Sequence, residues 1–175
     1  MPVDSQALRN YNRRMSYLID GHNLIPHIRG LNLGMMDDEE RLIALLKVFC
    51  RERRTQVECY FDNAPLGIPR TQRYGRVVVH FIPAGRIADD AILAKLVELK
   101  RNARNWIVVS SDQRVQMGAR EAHAQVLPAD AFAGILEETI VKTGSSEKQA
   151  DIELGSEEVN EWLRLFNQKP HTDLK

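Results

Sequence analysis

Hydrophobic and polar positions follow two different periods along the chain. Residues 15–20 (MSYLID), 56–62 (QVECYFD), 76–83 (RVVVHFIP), 105–112 (NWIVVSSD) and 124–127 are short apolar runs, which predict strands. Residues 37–53 place Leu42, Leu45, Leu46 and Phe49 at i, i+3, i+4 and i+7, one face of a helix. The acids at 37–40 fall in its first turn, and Arg51, Arg53 and Arg54 near its end, as the helix dipole favours. Residues 88–101 put Ala88, Ile92, Leu96 and Leu99 on one face, and residues 113–122 and 129–142 also carry helical patterns. The order β-α-β-β-α-β-α-β-α implies parallel pairing through right-handed crossovers. Strands that are apolar almost throughout suit a sheet covered on both faces. The expected fold is a three-layer α/β/α sandwich around a mainly parallel sheet of about five strands.

The same pattern divides the chain. Residues 1–15 form an N-terminal extension, 16–142 the domain, and 143–155 (TGSSEKQADIELG) a polar linker. Residues 156–168 read as a C-terminal amphipathic helix: Ser156 is a suitable N-cap, and Val159, Trp162, Leu163 and Phe166 make one apolar stripe. Leaving four large side chains in water costs ~1.5–3 kcal/mol each, so this helix is expected to dock, with a second copy or a protein partner preferred.

Composition agrees with a globular chain of 175 residues, 43% hydrophobic and 27% charged. No run reaches the roughly 18 apolar residues of a membrane span, and the N-terminus has no signal-peptide apolar region. Two cysteines, Cys50 and Cys59, with no CxxC, argue against a disulfide framework and for a reducing cytoplasm. The formal net charge is zero but uneven, with seven acids and four bases in residues 143–175.

Aspartates fall where chemistry is expected. In open α/β sheets ligands bind beyond the carboxyl ends of the strands. Asp20, Asp62 and Asp112 end strands, and Asp89 opens the helix after the third. Each has an ordinary reading, as a turn former or a helix N-cap. Together, on one rim, they would repel and raise one another's pKa. A divalent cation removes that cost, and a donor set of carboxylates without Cys or His partners favours Mg²⁺ or Mn²⁺ over Zn²⁺. Asp90 reads mainly as a first-turn acid. Asn23 is either a turn residue or an amide that orients a carboxylate or touches phosphate. Ser110 and Ser111 either support Asp112 or finish the strand, and His22, beside Asp20, either touches substrate or, as is commoner, is an ordinary loop side chain. The five histidines show no metal-ligand spacing, and G-x-G-x-x-G, Walker A and G-x-S-x-G motifs are absent.

Basic residues flank these acids. The segment after Asp62, read as a loop, contains Arg70, Arg73 and Arg76, with Tyr74 as a candidate stacking surface. Arg86 precedes Asp89, and Arg114 follows Asp112. A metal site bordered by arginines suits a phosphodiester. Arg70, Arg73, Arg86 and Arg114 are therefore the expected contacts to the phosphates of such a polyanion.

YLIDGHN at 17–23, FDN at 61–63, ADDAILAKL at 88–96 and VVSSDQRVQMGAREAHAQVLPADAF at 108–132 resemble the YacP-like branch of the NYN domains, within the PIN-like nuclease superfamily. The resemblance covers roughly residues 16–142. It implies a Rossmann-like PIN fold, an acidic pocket for Mg²⁺ or Mn²⁺, and RNA cleavage in a ribosome- or RNA-associated setting. By motif, Asp20 and Asn23 correspond to DGxN, Asp62 to the second-strand aspartate, Asp89 to AD-x-x-I and Asp112 to the SSD element. The tyrosine often found in DGYN is His22 here. The expected activity is a metal-dependent endoribonuclease. The rival readings are a non-catalytic RNA-binding module and an interaction protein acting through residues 156–168.

Overall fold

The computed structural model describes residues 15–147 apart from Met35. The N-terminal extension and the helix expected at 156–168 lie outside the described residues. Six strands form one sheet: β1 (Ser16–Asp20), β2 (Gln56–Ala64), β3 (Thr71–Tyr74), β4 (Val77–Pro83), β5 (Trp106–Val109) and β6 (Gln125–Leu127), in the order β3-β4-β2-β1-β5-β6. The helices are α1 (Gly21–Leu24), α2 (Asp38–Arg53), α3 (Ala88–Leu99), α4 (Gln113–Glu121) and α5 (Ala129–Glu147).

All strand pairs are parallel except β3 with β4. The chain builds from β1 in one direction through β2 and β4, then returns to build β5 and β6 on the other side. Because each crossover keeps one hand, α2 lies on one face and α4 on the other, and the strand order reverses between β1 and β5, the point at whose carboxyl edge open α/β sheets have their binding crevice.

One core lies under α2 and α5, where Ile19, Cys59, Val79 and Val109 meet Leu42, Leu46, Phe49, Phe132 and Leu136. The Phe49 ring meets Tyr17 at 5.4 Å and Phe132 at 5.2 Å between centroids, both edge to face. On the opposite face Leu18, Tyr60 and Val108 pack against Ile92 and Leu96 of α3 and Val115 and Ala119 of α4. The three-layer α/β/α sandwich thus forms as the hydrophobic periods predict. No helix of the described residues is long and apolar enough to cross a membrane.

Two expectations need correction. The sheet has six strands rather than five, because residues 71–74 are not loop but the edge strand β3. An edge strand pairs on one side only and tolerates the polar sequence TQRY, which carries no apolar run. Gly75, at φ 62°, makes the turn back into β4. The second correction is at the other end, where α5 runs to Glu147, into the stretch expected as linker from 143. A polar residue at 143 does not oppose a helix: the Thr143 hydroxyl donates to the Thr139 carbonyl at 2.9 Å, as the Thr139 hydroxyl does to Ile135 at 2.8 Å one turn earlier, so both side chains are buried without a lost bond.

Gly21 decides how closely the ends of β1 and β2 approach. A Cβ there would enter the ring of Phe61, which is fully buried beside Asp62. Gly21→Ala is therefore expected to destabilise the fold by about 1–3 kcal/mol, the usual cost of overpacking. Urea denaturation measures it, and an unchanged midpoint would mean that this contact is slack.

Candidate active site

Strand β1 ends in Asp20, a residue only 8% exposed. Its Oδ1 accepts from the backbone N–H of Asn23 at 3.2 Å, which caps α1. Beyond β5, the buried Ser110 hydroxyl oxygen accepts the Asp112 N–H at 3.1 Å, and Asp112 Oδ1 accepts the Val115 N–H at 3.1 Å to cap α4. Each cap bond engages one carboxylate oxygen, Oδ1, and leaves Oδ2 for other partners. Asn23 Oδ1 accepts the Ser111 N–H at 2.8 Å, tying the end of β1 to the loop after β5. Ser111 Oγ in turn accepts the Ala129 N–H at 3.0 Å at the start of α5. Asn23, Ser110 and Ser111 are thus the ties of the rim.

Asp62 lies in β2, where pairing with β4 shifts register between Phe61 and Ala64. Asn63 takes a left-handed conformation, φ 55°, which asparagine tolerates better than most residues. Such a bulge bends the strand and re-aims a side chain. Asp62 Oδ1 lies 2.6 Å from His22 Nδ1, and the other ring nitrogen lies 2.9 Å from Glu39 Oε1. Asp89 sits in the first turn of α3 and is not its N-cap: that position is Ile87, which makes no side-chain cap bond. Beside it, Asp90 Oδ1 accepts from Arg114 Nη2 at 2.5 Å.

The acids feel one another. Burial pushes Asp20 up to about 6, against the Asn23 N–H, with the Asp89 and Asp62 charges adding to the rise. Asp89 is raised as well, by burial and then by Asp112, with Asp62 and Asp90 contributing. His22 is raised to about 9: the Glu39 hydrogen bond outweighs burial, and Asp62 adds to it. The ring is an imidazolium at neutral pH and donates from both nitrogens. An all-carboxylate oxygen set with surplus negative charge fits Mg²⁺ or Mn²⁺ in kind. Among the described residues no three His, Cys, Asp or Glu side chains stand close enough together to grip an ion as placed. The caps and the His22 clamp engage Asp20, Asp112 and Asp62 separately, and their charges repel.

The sequence model of the YacP-like NYN domain matches residues 17–167. The chain belongs to the YacP-like NYN domain family. Two crystal structures of Rae1 (YacP) from Bacillus subtilis share the fold. One superposes with a TM-score of 0.64 at 22% identity over 76% of this chain and 79% of that one. The other, a tryptophan-to-leucine mutant of Rae1, gives 0.63 at 19% identity over 86% and 91%. No curated protein matches the sequence. The six-stranded sheet with its flanking helices is thus a PIN-like, nuclease-type fold. The family match runs past residue 142 and takes in the segments expected as linker and C-terminal helix.

The arginines of this NYN domain do not all reach the acids. Arg70 lies near the rim, its carbonyl accepting the Phe81 N–H at 2.8 Å. Arg86 is exposed in the turn between β4 and Asp89. Arg73, opposite Val78, is three residues further down β3, about 10 Å at strand rise. Arg76 meets the start of β2, where its carbonyl accepts the Val57 N–H at 3.1 Å. Arg114 is engaged by Asp90. Tyr74, expected as an open stacking surface, is half-buried against the core, and its hydroxyl donates to Gln72. Sequence reading passed over Glu39, because four consecutive acids at 37–40 look alike as first-turn residues.

Ionisation of Asp20 sets a pH dependence of stability. Unfolded, it titrates near 3.8; folded, near 6. Between those values unfolding releases a proton, so rising pH destabilises the metal-free fold, by about 1–3 kcal/mol above pH 6. In EDTA, Asp20→Asn is expected to exceed the parent by that amount at pH 8 and to lose most of the advantage at pH 4. Denaturation at the two pH values measures the gap, and equal stability at pH 8 would show that Asp20 carries no such strain.

Proposed function

We propose that this NYN domain is a metal-dependent endoribonuclease that hydrolyses RNA phosphodiester bonds. The observation that carries the reading is the gathering of Asp20, Asp62, Asp89 and Asp112 at one sheet edge, where burial and mutual repulsion raise Asp20 and Asp89. A pure RNA binder gains little from a negative rim facing phosphate.

Asp20, Asp62, Asp89 and Asp112 would hold Mg²⁺ or Mn²⁺. When bound, the ion supplies an acidified water and positive charge for the in-line displacement at phosphorus. The carboxylates orient that water and keep the reacting group on the carboxyl edge. Asn23, Ser110 and Ser111 hold the strand ends that carry them. Arg70 and Arg86 receive phosphates on the rim, and Arg114 can exchange its Asp90 partner for phosphate as RNA arrives. The RNA, free or ribosome-associated, lies across the β1–β5 crevice. The free, buried Cys50 and Cys59 support a place in the reducing cytoplasm.

Cleavage of single-stranded and structured RNA should require Mg²⁺ or Mn²⁺ and stop with EDTA. Asp20→Asn should lose about 100-fold or more, the scale of removing one electrostatic stabiliser from a transition state. Full cleavage by Asp20→Asn, or cleavage in EDTA, would refute the mechanism. RNA bound but never cut would favour the binding-module reading.

Salt dependence locates the RNA path. Arg70→Ala and Arg86→Ala should each flatten the log–log salt slope of RNA binding by about 0.7 per lost phosphate contact, with Arg73→Ala nearly silent. A larger change from Arg73→Ala would move the path onto the β3 edge.

A further inference from the structure

Glu39 adds a further carboxylate to this rim, and none of the strand ends supplies it. It comes from the first turn of α2, on the far side of the imidazole from Asp62. His22 spans the two, with Nε2 at 2.9 Å from Glu39 Oε1 and Nδ1 at 2.6 Å from Asp62 Oδ1. The ring also lies against Phe61, with centroids 5.3 Å apart and planes tilted by 57°. Both nitrogens are therefore engaged, and Phe61 limits rotation of the ring.

This arrangement separates two roles that an acidic rim would otherwise blur. Glu39 and Asp62 sit on opposite nitrogens, so they cannot share one cation while the ring stays between them. Resting on the metal-dependent reading above, we propose that Glu39 is a positioning residue: acting through His22, it sets the orientation of the Asp62 carboxylate beside Asp20 and Asp89. Helix α2, which packs under the other face of the sheet, thereby controls the aim of a rim carboxylate carried by β2. Hydrogen-bonded partners of ligating groups typically carry 10–100-fold of metal affinity or activity, which sets the size of the expected effect.

The test is a double-mutant cycle on the full chain, read by Mn²⁺ binding in electron paramagnetic resonance and by kcat and KM for RNA cleavage. Glu39→Ala and His22→Ala should each weaken Mn²⁺ binding roughly 10–100-fold and lower kcat, with KM little changed. The double variant should be no worse than His22→Ala, because Glu39 has no route to the site without the ring. Glu39→Gln keeps an oxygen to accept from Nε2–H and should recover most of the loss. Parental Mn²⁺ affinity in Glu39→Ala would overturn the proposal. So would losses that multiply in the double variant, since these would make Glu39 a direct ligand. Should the parent bind no Mn²⁺, the metal reading itself fails. The clamp is then judged by the downfield Nδ1–H proton resonance of His22: its loss in Glu39→Ala supports the coupling, and its persistence overturns it.

Discussion

Parallel pairing is the constraint from which the site follows. β1, β2, β4 and β5 all point the same way, so their carboxyl ends meet one edge whatever residues they carry. Aspartates on or just after those ends are thereby brought into one another's field. The sheet's hydrophobic faces supply the energy that holds them there, through fully buried side chains such as Phe49, Phe132, Ile92 and Leu96. The carboxylates do not assemble the rim; packing of the layers does, against their repulsion. A negative cluster formed this way is destabilising by itself and becomes favourable when a cation or a cationic side chain meets it.

The structure meets that cost locally in several ways. Asp20 and Asp112 each accept a backbone N–H at the start of a helix. Asp62 is countered by the His22 imidazolium and Asp90 by Arg114. The ordinary and the functional reading of such aspartates are not alternatives, because an N-cap bond at one oxygen leaves the other available. Small residues complete the arrangement. Gly21 allows Phe61 to approach the end of β1, and Asn23 ties that end to the loop after β5.

Membership of the NYN family and low identity to Rae1 point to what is held constant. Identities of 19% and 22% accompany TM-scores above 0.6, so the shared feature is the layered sheet. Many apolar sequences satisfy the same layers, because a core requires volume and periodicity more than particular side chains. Surface loops and arginines are free of that requirement, and they are where differences between members of the family have room to arise.

The layers, the parallel order and the aspartates at three strand ends and the start of α3 were legible in residue order, since hydrophobic period and turn chemistry are local. Residue order did not reveal β3, whose polar residues carry no periodic signal and become a strand only because β4 offers them an open edge. Nor could it end α5, where Thr139 and Thr143 hide their hydroxyls in bonds to their own helix. Only the tertiary fold separated the arginines: three along one segment looked equivalent until β3 carried Arg73 and Arg76 away from the rim, leaving the Arg70 backbone near it. It also chose Glu39 from among four neighbouring acids. That choice depends on how α2 docks against the sheet and where it meets His22, a contact between residues 17 positions apart that no local pattern encodes.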